Sequence, residues 1–202
     1  RIPPELRALG RRGALRTQLG RDAHGDAIAA HLAASDVHVL PESFDADRTS
    51  TAIATIGADG SADYAFDVTW APDRIADVDA TVLHVGSVGA FLAPGGRAVE
   101  EAVHASAARW ITLDPNVRAS LLPDRATASA TFHRLAAAAD VVKLSDEDAA
   151  WLLPGLGPDA VLDAIGAMGA SLVVLTCGAD GAHLAAGSAR ARVASATTDA
   201  VD

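Results

Sequence analysis

Cysteine occurs once in the 202 residues, at Cys177, so no disulfide can form within the chain. A reducing, cytoplasmic setting is the natural expectation. Aromatic residues are scarce too: three Trp, one Tyr and four Phe make up 4%. With so little aromatic bulk, and roughly a quarter of the chain alanine, the core must be assembled from Ala, Val, Leu and Ile. Such a core suits slim helices packed closely on a sheet. Lys143 is the only lysine and the formal net charge is −10. That balance argues against a broad nucleic-acid surface, which needs clustered Lys and Arg. The one basic concentration, Arg1, Arg7, Arg11, Arg12, Arg16 and Arg21, reads as a solvated helix face and turn. No apolar run approaches the ~20 residues of a membrane span. The opening Arg1-Ile2-Pro3-Pro4-Glu5 does not follow a signal-peptide pattern.

What is present is globular. Half of the residues are hydrophobic, too many for a disordered chain, and recurrent Gly and Pro rule out a coiled coil. Short apolar runs at 14–19, 81–85, 110–114, 140–144 and 172–176 read as strands. Most are apolar on both faces, as in the middle of a parallel sheet covered on both sides. Between them lie helix-like stretches at 22–34, 97–109, 125–138 and 158–168. The last opens with Gly157-Pro158, where Pro is preorganised for a first turn, and sets Val161, Leu162, Ile165 and Met168 on one face. Strand-helix-strand repetition predicts a single α/β domain over 1–202, three-layer α/β/α with a mostly parallel central sheet.

One segment departs from that rhythm. Residues 49–56 and 63–70 are both extended and are joined by Gly57-Ala58-Asp59-Gly60-Ser61-Ala62, a β-hairpin signal. Alternation places Tyr64, Phe66, Val68 and Trp70 on one face. That face either packs on the main core, or forms a flap that covers a ligand or pairs with another subunit.

In open α/β sheets ligands bind beyond the carboxyl ends of strands, so the residues just after each strand carry the chemistry. Leu19-Gly20-Arg21-Asp22-Ala23-His24-Gly25 reads as a tight turn with Asp22 capping a helix. In Asp114-Pro115-Asn116-Val117-Arg118 a turn explains Pro-Asn, while the Arg118 guanidinium has the donor fork that grips phosphate or sugar oxygens. In Lys143-Leu144-Ser145-Asp146-Glu147-Asp148 the acids either complement a helix dipole or supply a carboxylate to hydrated Mg2+. In Thr176-Cys177-Gly178-Ala179-Asp180-Gly181 the glycines make a β-turn or admit a phosphate. No Walker loop, Gly-x-Gly-x-x-Gly fingerprint, His-Glu-x-x-His or Gly-x-Ser-x-Gly elbow occurs. The seven His form no metal pattern, and His84, inside a strand, reads as a satisfied core residue.

Taken in order along essentially the whole chain, these segments resemble the ribokinase-like (PfkB) carbohydrate kinases. Gly20-x-Asp22-x-x-Gly25 is similar to the family's Gly-x-Asp-x-x-Gly, and 49–56 with Gly60 is similar to its lid strands. Asp114-Pro115-Asn116-x-Arg118 resembles the Asp-Pro-Asn-x-Arg of the fructokinase and ketodeoxygluconate kinase branches. Lys143-x-Ser145-x-x-Asp148 and Thr176-x-Gly178-x-x-Gly181 resemble its Lys-x-Asn/Ser-x-x-Glu and Thr-x-Gly-x-x-Gly segments. The resemblance implies ATP-dependent phosphorylation of a sugar hydroxyl and a hairpin lid at about 49–70; the aromatic face of that hairpin separately allows a possible homodimer. It implies that Asn116 and Arg118 contact sugar or transferring phosphate, and that Ser145, Thr176, Gly178 and Gly181 bind nucleotide. Asp148 would organise Mg2+ through water. Phosphoryl transfer asks mainly for positioning and charge neutralisation, which dispersed polar groups supply.

The pattern departs from the family at three places. A glycine-rich sugar-binding segment would precede residues 6–10, Asp148 stands where Glu is usual, and the Gly-Ala-Gly-Asp run with its general base would follow Asp202. The resemblance therefore predicts that this chain by itself is inactive and assigns no catalytic base within it. Two other readings remain: a non-catalytic sugar- or nucleotide-binding relative, and a structural α/β domain that dimerises through the hairpin.

Overall fold

The computed structural model describes residues 13–57, 62–76, 79–122 and 124–196. The chain divides into two compact units, Arg1–Pro72 and Asp73–Asp202.

In the first unit, strands β1 (Gly13–Leu15) and β2 (Val37–Val39) pair in parallel across helix α1 (Ala23–Ala33). The strand expected at 14–19 ends at Leu15 for a local reason. Beyond it, the Thr17 N–H donates to Ser43 Oγ at 3.1 Å and the Leu19 N–H to the Ser43 carbonyl at 2.7 Å. A buried serine turn thus replaces the ladder. Strands β3 (Thr51–Ile56) and β4 (Ala62–Asp67) form the expected hairpin, with Ala52 opposite Phe66 and Ala54 opposite Tyr64. The Tyr64 and Phe66 rings stack with centroids 5.9 Å apart, and both are exposed. β4 stops at Asp67, so Val68 and Trp70 lie past the strand they were expected to share. The open end is pinned by Ser50 Oγ, which donates to the Thr69 carbonyl and accepts the Thr69 N–H, and by the Arg48–Asp67 ion pair. Gly60 of the hairpin turn, residues 6–10 and Asp202 lie outside the described residues.

The second unit is built on one six-stranded sheet. Strands β5 (Val82–Gly86), β6 (Trp110–Asp114), β7 (Val141–Ser145) and β8 (Leu172–Thr176) run parallel, each beside its sequence neighbour. The antiparallel β9 (Ala182–Ala186) and β10 (Ala189–Val193) close one side, giving the order β10-β9-β8-β7-β6-β5. Its helices are α2 (Ser87–Phe91), α3 (Gly95–Ala105), α4 (Arg125–Ala138), α5 (Asp146–Leu152) and α6 (Pro158–Met168). The expected α/β class, mostly parallel sheet and small hairpin sheet are all present.

Strands that step in one direction through right-handed crossovers deliver their helices to one face. Accordingly α3 packs on α4 and α4 on α6. Leu113, Val142, Leu144, Val173 and Leu175 are buried alternately along their strands, and Phe132 of α4 is 0% exposed. The intervening Thr112, Lys143 and Val174 are half-buried, so the two faces of the sheet are not equally covered. His84 falls on the more open face. It is exposed rather than in the core and bonds Thr112 Oγ1 at 2.8 Å. All five residues of β10 are exposed, and its Arg190 and Arg192 pair with Asp163 and Asp159 of α6.

Candidate functional site

Three strand ends lie side by side at the carboxyl edge of the second unit's sheet: Asp114 on β6, Ser145 on β7 and Thr176 on β8. Ser145 and Thr176 are register partners. Past them opens a cleft of about 530 Å3, lined by Ser145, Asp146, Glu147, Thr176, Gly178, Gly181, Ala182 and residues 193–195. Four of the residues singled out in the sequence, Ser145, Thr176, Gly178 and Gly181, therefore share one cavity.

The two glycines have different physical reasons. Gly178 sits at φ +53, and a Cβ there would meet nothing within 4 Å. Only its backbone conformation asks for glycine, and it lines the cleft. Gly181, at φ +88, is crowded by the chain leaving β10: a Cβ would press into the Val193 carbonyl oxygen and lie 2.9 Å from the Ser195 nitrogen. Its glycine serves this close backbone approach. Thr176 Oγ1 donates to the Leu144 carbonyl at 3.3 Å. Between Thr176 and Gly178, burial and then the charges of Asp146 and Asp180 push the Cys177 thiol pKa up.

On β7, Ser145 begins α5 as its N-cap. Its Oγ accepts the Asp148 N–H at 3.0 Å, while Asp148 Oδ2 accepts the Ser145 N–H at 3.1 Å and the Ser145 hydroxyl at 2.8 Å. This reciprocal capping box satisfies backbone donors that a helix start leaves open. Asp148 Oδ1 accepts the Val117 N–H at 2.7 Å. The side chain expected to face hydrated Mg2+ is 7% exposed and does not line the cleft. Asp146 and Glu147 line it instead. No group of three or more His, Cys, Asp or Glu able to hold a metal ion exists among the described residues.

On β6, the turn after Asp114 is braced from both ends. Lys143 Nζ lies 3.1 Å from Asp114 Oδ2, and Pro115 is buried. Asn116 adopts φ +37, and its Oδ1 accepts from the Arg118 guanidinium at 2.8 Å. Arg118 also donates to the Val117 carbonyl at 3.0 Å, and both Asn116 and Arg118 are exposed. They belong to the same sheet edge without lining the cavity.

In the first unit, Gly20-x-Asp22-x-x-Gly25 is a strut for the hairpin root. Asp22 accepts the Gly25 N–H at 2.8 Å, the Thr49 N–H at 2.7 Å and the Thr49 hydroxyl at 2.8 Å. These bonds, led by the Gly25 and Thr49 amides, lower its pKa to about 2. A Cβ on Gly20 would stand 2.6 Å from Arg48 Cα, and one on Gly25 would overlap the Gly20 carbonyl.

Sequence reasoning did not anticipate the cleft wall at 193–195, which comes from the return of β10, nor the Asp148–Val117 bond. The Ser-x-x-Asp spacing does announce the capping box. Nothing local announces a partner 31 residues away.

The fold is that of known sugar and nucleoside kinases. A fructokinase from Vibrio cholerae O395, solved with fructose, ADP and calcium ion, superposes with a TM-score of 0.80 over 98% of this chain and 68% of its own, at 24% identity. An aminoimidazole riboside kinase from Salmonella enterica, complexed with aminoimidazole riboside and an ATP analog, gives 0.76 over 96% and 66%, at 21% identity. Residues 6–202 match the model of the pfkB family carbohydrate kinases, and the chain belongs to that family. A fructokinase from Rhizobium leguminosarum bv. trifolii is 37% identical over 191 residues, 87% of this chain and 57% of the relative. The chain thus spans little more than half the length of that curated relative.

Proposed function

We propose that the protein transfers the terminal phosphoryl group of ATP to a sugar hydroxyl, with fructose as the leading acceptor. The observation that carries this is the cleft at the carboxyl edge, where Ser145 and Thr176 stand as register partners beside the open glycine Gly178. Strand ends that present hydroxyls and an unencumbered backbone at a cleft suit a phosphate chain. Family membership and the 37% identical fructokinase support the same reading.

In this proposal the nucleotide lies along Ser145, Thr176, Gly178 and Gly181, and Asn116 with Arg118 faces the sugar or the transferring phosphoryl group. Among the described residues Arg118 is held only by its own turn, so its fork can be redirected to an anionic oxygen. The described carboxylates fit a cation that arrives on the nucleotide: Mg2+ binds through one or two carboxylates plus phosphate oxygens and water. Asp146 and Glu147 line the cleft for that purpose. Bound there, Mg2+ would neutralise charge on the phosphates. The exposed, stacked Tyr64 and Phe66 offer a surface through which two copies could pair. No described helix is long and apolar enough to cross a membrane, and a cytoplasmic site of action accords with the lone cysteine.

The test is a coupled ADP-release assay on the purified full-length protein against a panel of sugars. Fructose-dependent turnover is expected, with kcat/KM reduced about 100-fold or more in Arg118→Ala. No sugar-dependent ADP release from any member of the panel would overturn the proposal.

A further inference from the structure

Asp148 is the most heavily engaged carboxylate of the second unit's sheet edge. It is 7% exposed and accepts three hydrogen bonds: one from Val117 in the turn after β6 and two from Ser145 at the start of α5. Hydrogen bonds to an ionised carboxylate are short and strong. The two partners belong to different strand connections. One turn carries Asn116 and Arg118, the other opens the cleft at Ser145.

We propose that Asp148 is a positioning residue rather than a metal ligand: a buried bracket that fixes the sugar-side 116–118 turn against the phosphate-side Ser145 turn, so both halves of the site hold one geometry. The proposal rests on the phosphotransfer reading above. The short aspartate side chain keeps its carboxylate at the base of the two turns, within reach of both amides. A cation entering the cleft meets Asp146 and Glu147, which line it, whereas Asp148 does not. Because the reacting groups must be held to a fraction of an ångström, a bracket between the two turns acts on both substrates without touching either.

The experiment compares full-length wild type, Asp148→Ala, the milder Asp148→Asn, and Phe132→Leu as a core variant of lowered melting temperature. ADP affinity is measured by calorimetry in EDTA and in Mg2+, fructose KM by turnover, and exchange of the Val117 and Ser145 amides by hydrogen–deuterium mass spectrometry. Expected is an ADP affinity about 10-fold weaker by the same factor with and without Mg2+, together with a fructose KM raised about 10-fold. The core variant should move neither. Val117 should exchange at least about 10-fold faster in Asp148→Ala. If Asp148→Ala does not fold, Asp148→Asn still sets an N–H2 donor against one of the two amides and should show the same pattern at reduced size. A shifted Mg2+ titration with unchanged binding in EDTA, or unchanged Val117 exchange, would overturn the bracket. If wild type binds neither ADP nor fructose, the functional reading fails, while the Val117 exchange still decides whether the bracket exists.

Discussion

Replacing each of the two cleft glycines by alanine separates a backbone requirement from an open approach. Gly178 sits in the left-handed region at φ +53 with nothing within 4 Å of an added Cβ. Alanine there bears only the conformational cost, about 1–2 kcal/mol. Gly181 has φ 88 and ψ −135, a region close to glycine-only. Its Cβ would also press into the Val193 carbonyl and stand 3.0 Å from the Ala194 carbonyl carbon and 2.9 Å from the Ser195 nitrogen. These are backbone atoms, so no side-chain rotation relieves the overlap. Adding about 1–3 kcal/mol for forced displacement to the conformational cost gives about 2–5 kcal/mol. At roughly 2–4 °C per kcal/mol for a chain of this size, Gly178→Ala should lower Tm by roughly 2–8 °C and Gly181→Ala by roughly 4–20 °C, the larger loss falling on Gly181→Ala. Differential scanning fluorimetry reads both. ADP binding at low temperature should weaken in Gly178→Ala, because the substitution alters the backbone of a residue that lines the cleft. Equal Tm losses, or a Gly181→Ala protein that melts within a degree or two of wild type, would refute the division of roles.

Three further outcomes are expected. The Asp22 carboxyl, lowered from 3.8 to about 2, contributes stability that is fully present above 3.8 and is lost as pH falls towards about 2; Tm measured from pH 5 to pH 2 should decline across that window, and less steeply in Asp22→Asn. Cys177, raised by burial and by Asp146 and Asp180, should be alkylated slowly by iodoacetamide at neutral pH, and Asp146→Asn should speed the reaction. Phe132→Ala removes a ring that is 0% exposed and should cost about 3–5 kcal/mol in urea unfolding, whereas a loss below about 1 kcal/mol would contradict the packing described.

Much of the second unit was legible because its signals are local. Strands 110–114 and 172–176 and helices 125–138 and 158–168 stand at their expected bounds, since apolar runs, and Pro158 at the start of the last helix, are local signals. The first strand was overextended because Ser43, 28 residues from Leu15, intercepts the donors a ladder would have used. The helix expected at 97–109 starts earlier and ends at Ala105. It buries Val99 and Val103. At the candidate site, residue types after each strand marked the carboxyl edge of the sheet, where the cleft opens. What they did not reveal was function divided within a motif: one glycine facing open space and one wedged under a returning strand, one acidic residue buried as a bracket and two lining a cleft. Those distinctions depend on neighbours brought in by the chain's return through β10 and by a turn 31 residues upstream of Asp148.

The outermost ribbon of the second unit has a consequence for solution behaviour. Among the described residues, Ala189, Arg190, Ala191, Arg192 and Val193 leave one side of the sheet without a hydrogen-bonded neighbour. An open margin of this kind invites a foreign strand to add on. Here two guanidinium groups stand at alternate positions, tethered to helical aspartates, so a second copy arriving in register would bring like charges together in a poorly hydrated seam. Neutral replacements, Arg190→Gln with Arg192→Gln, would remove that repulsion together with two ties to α6.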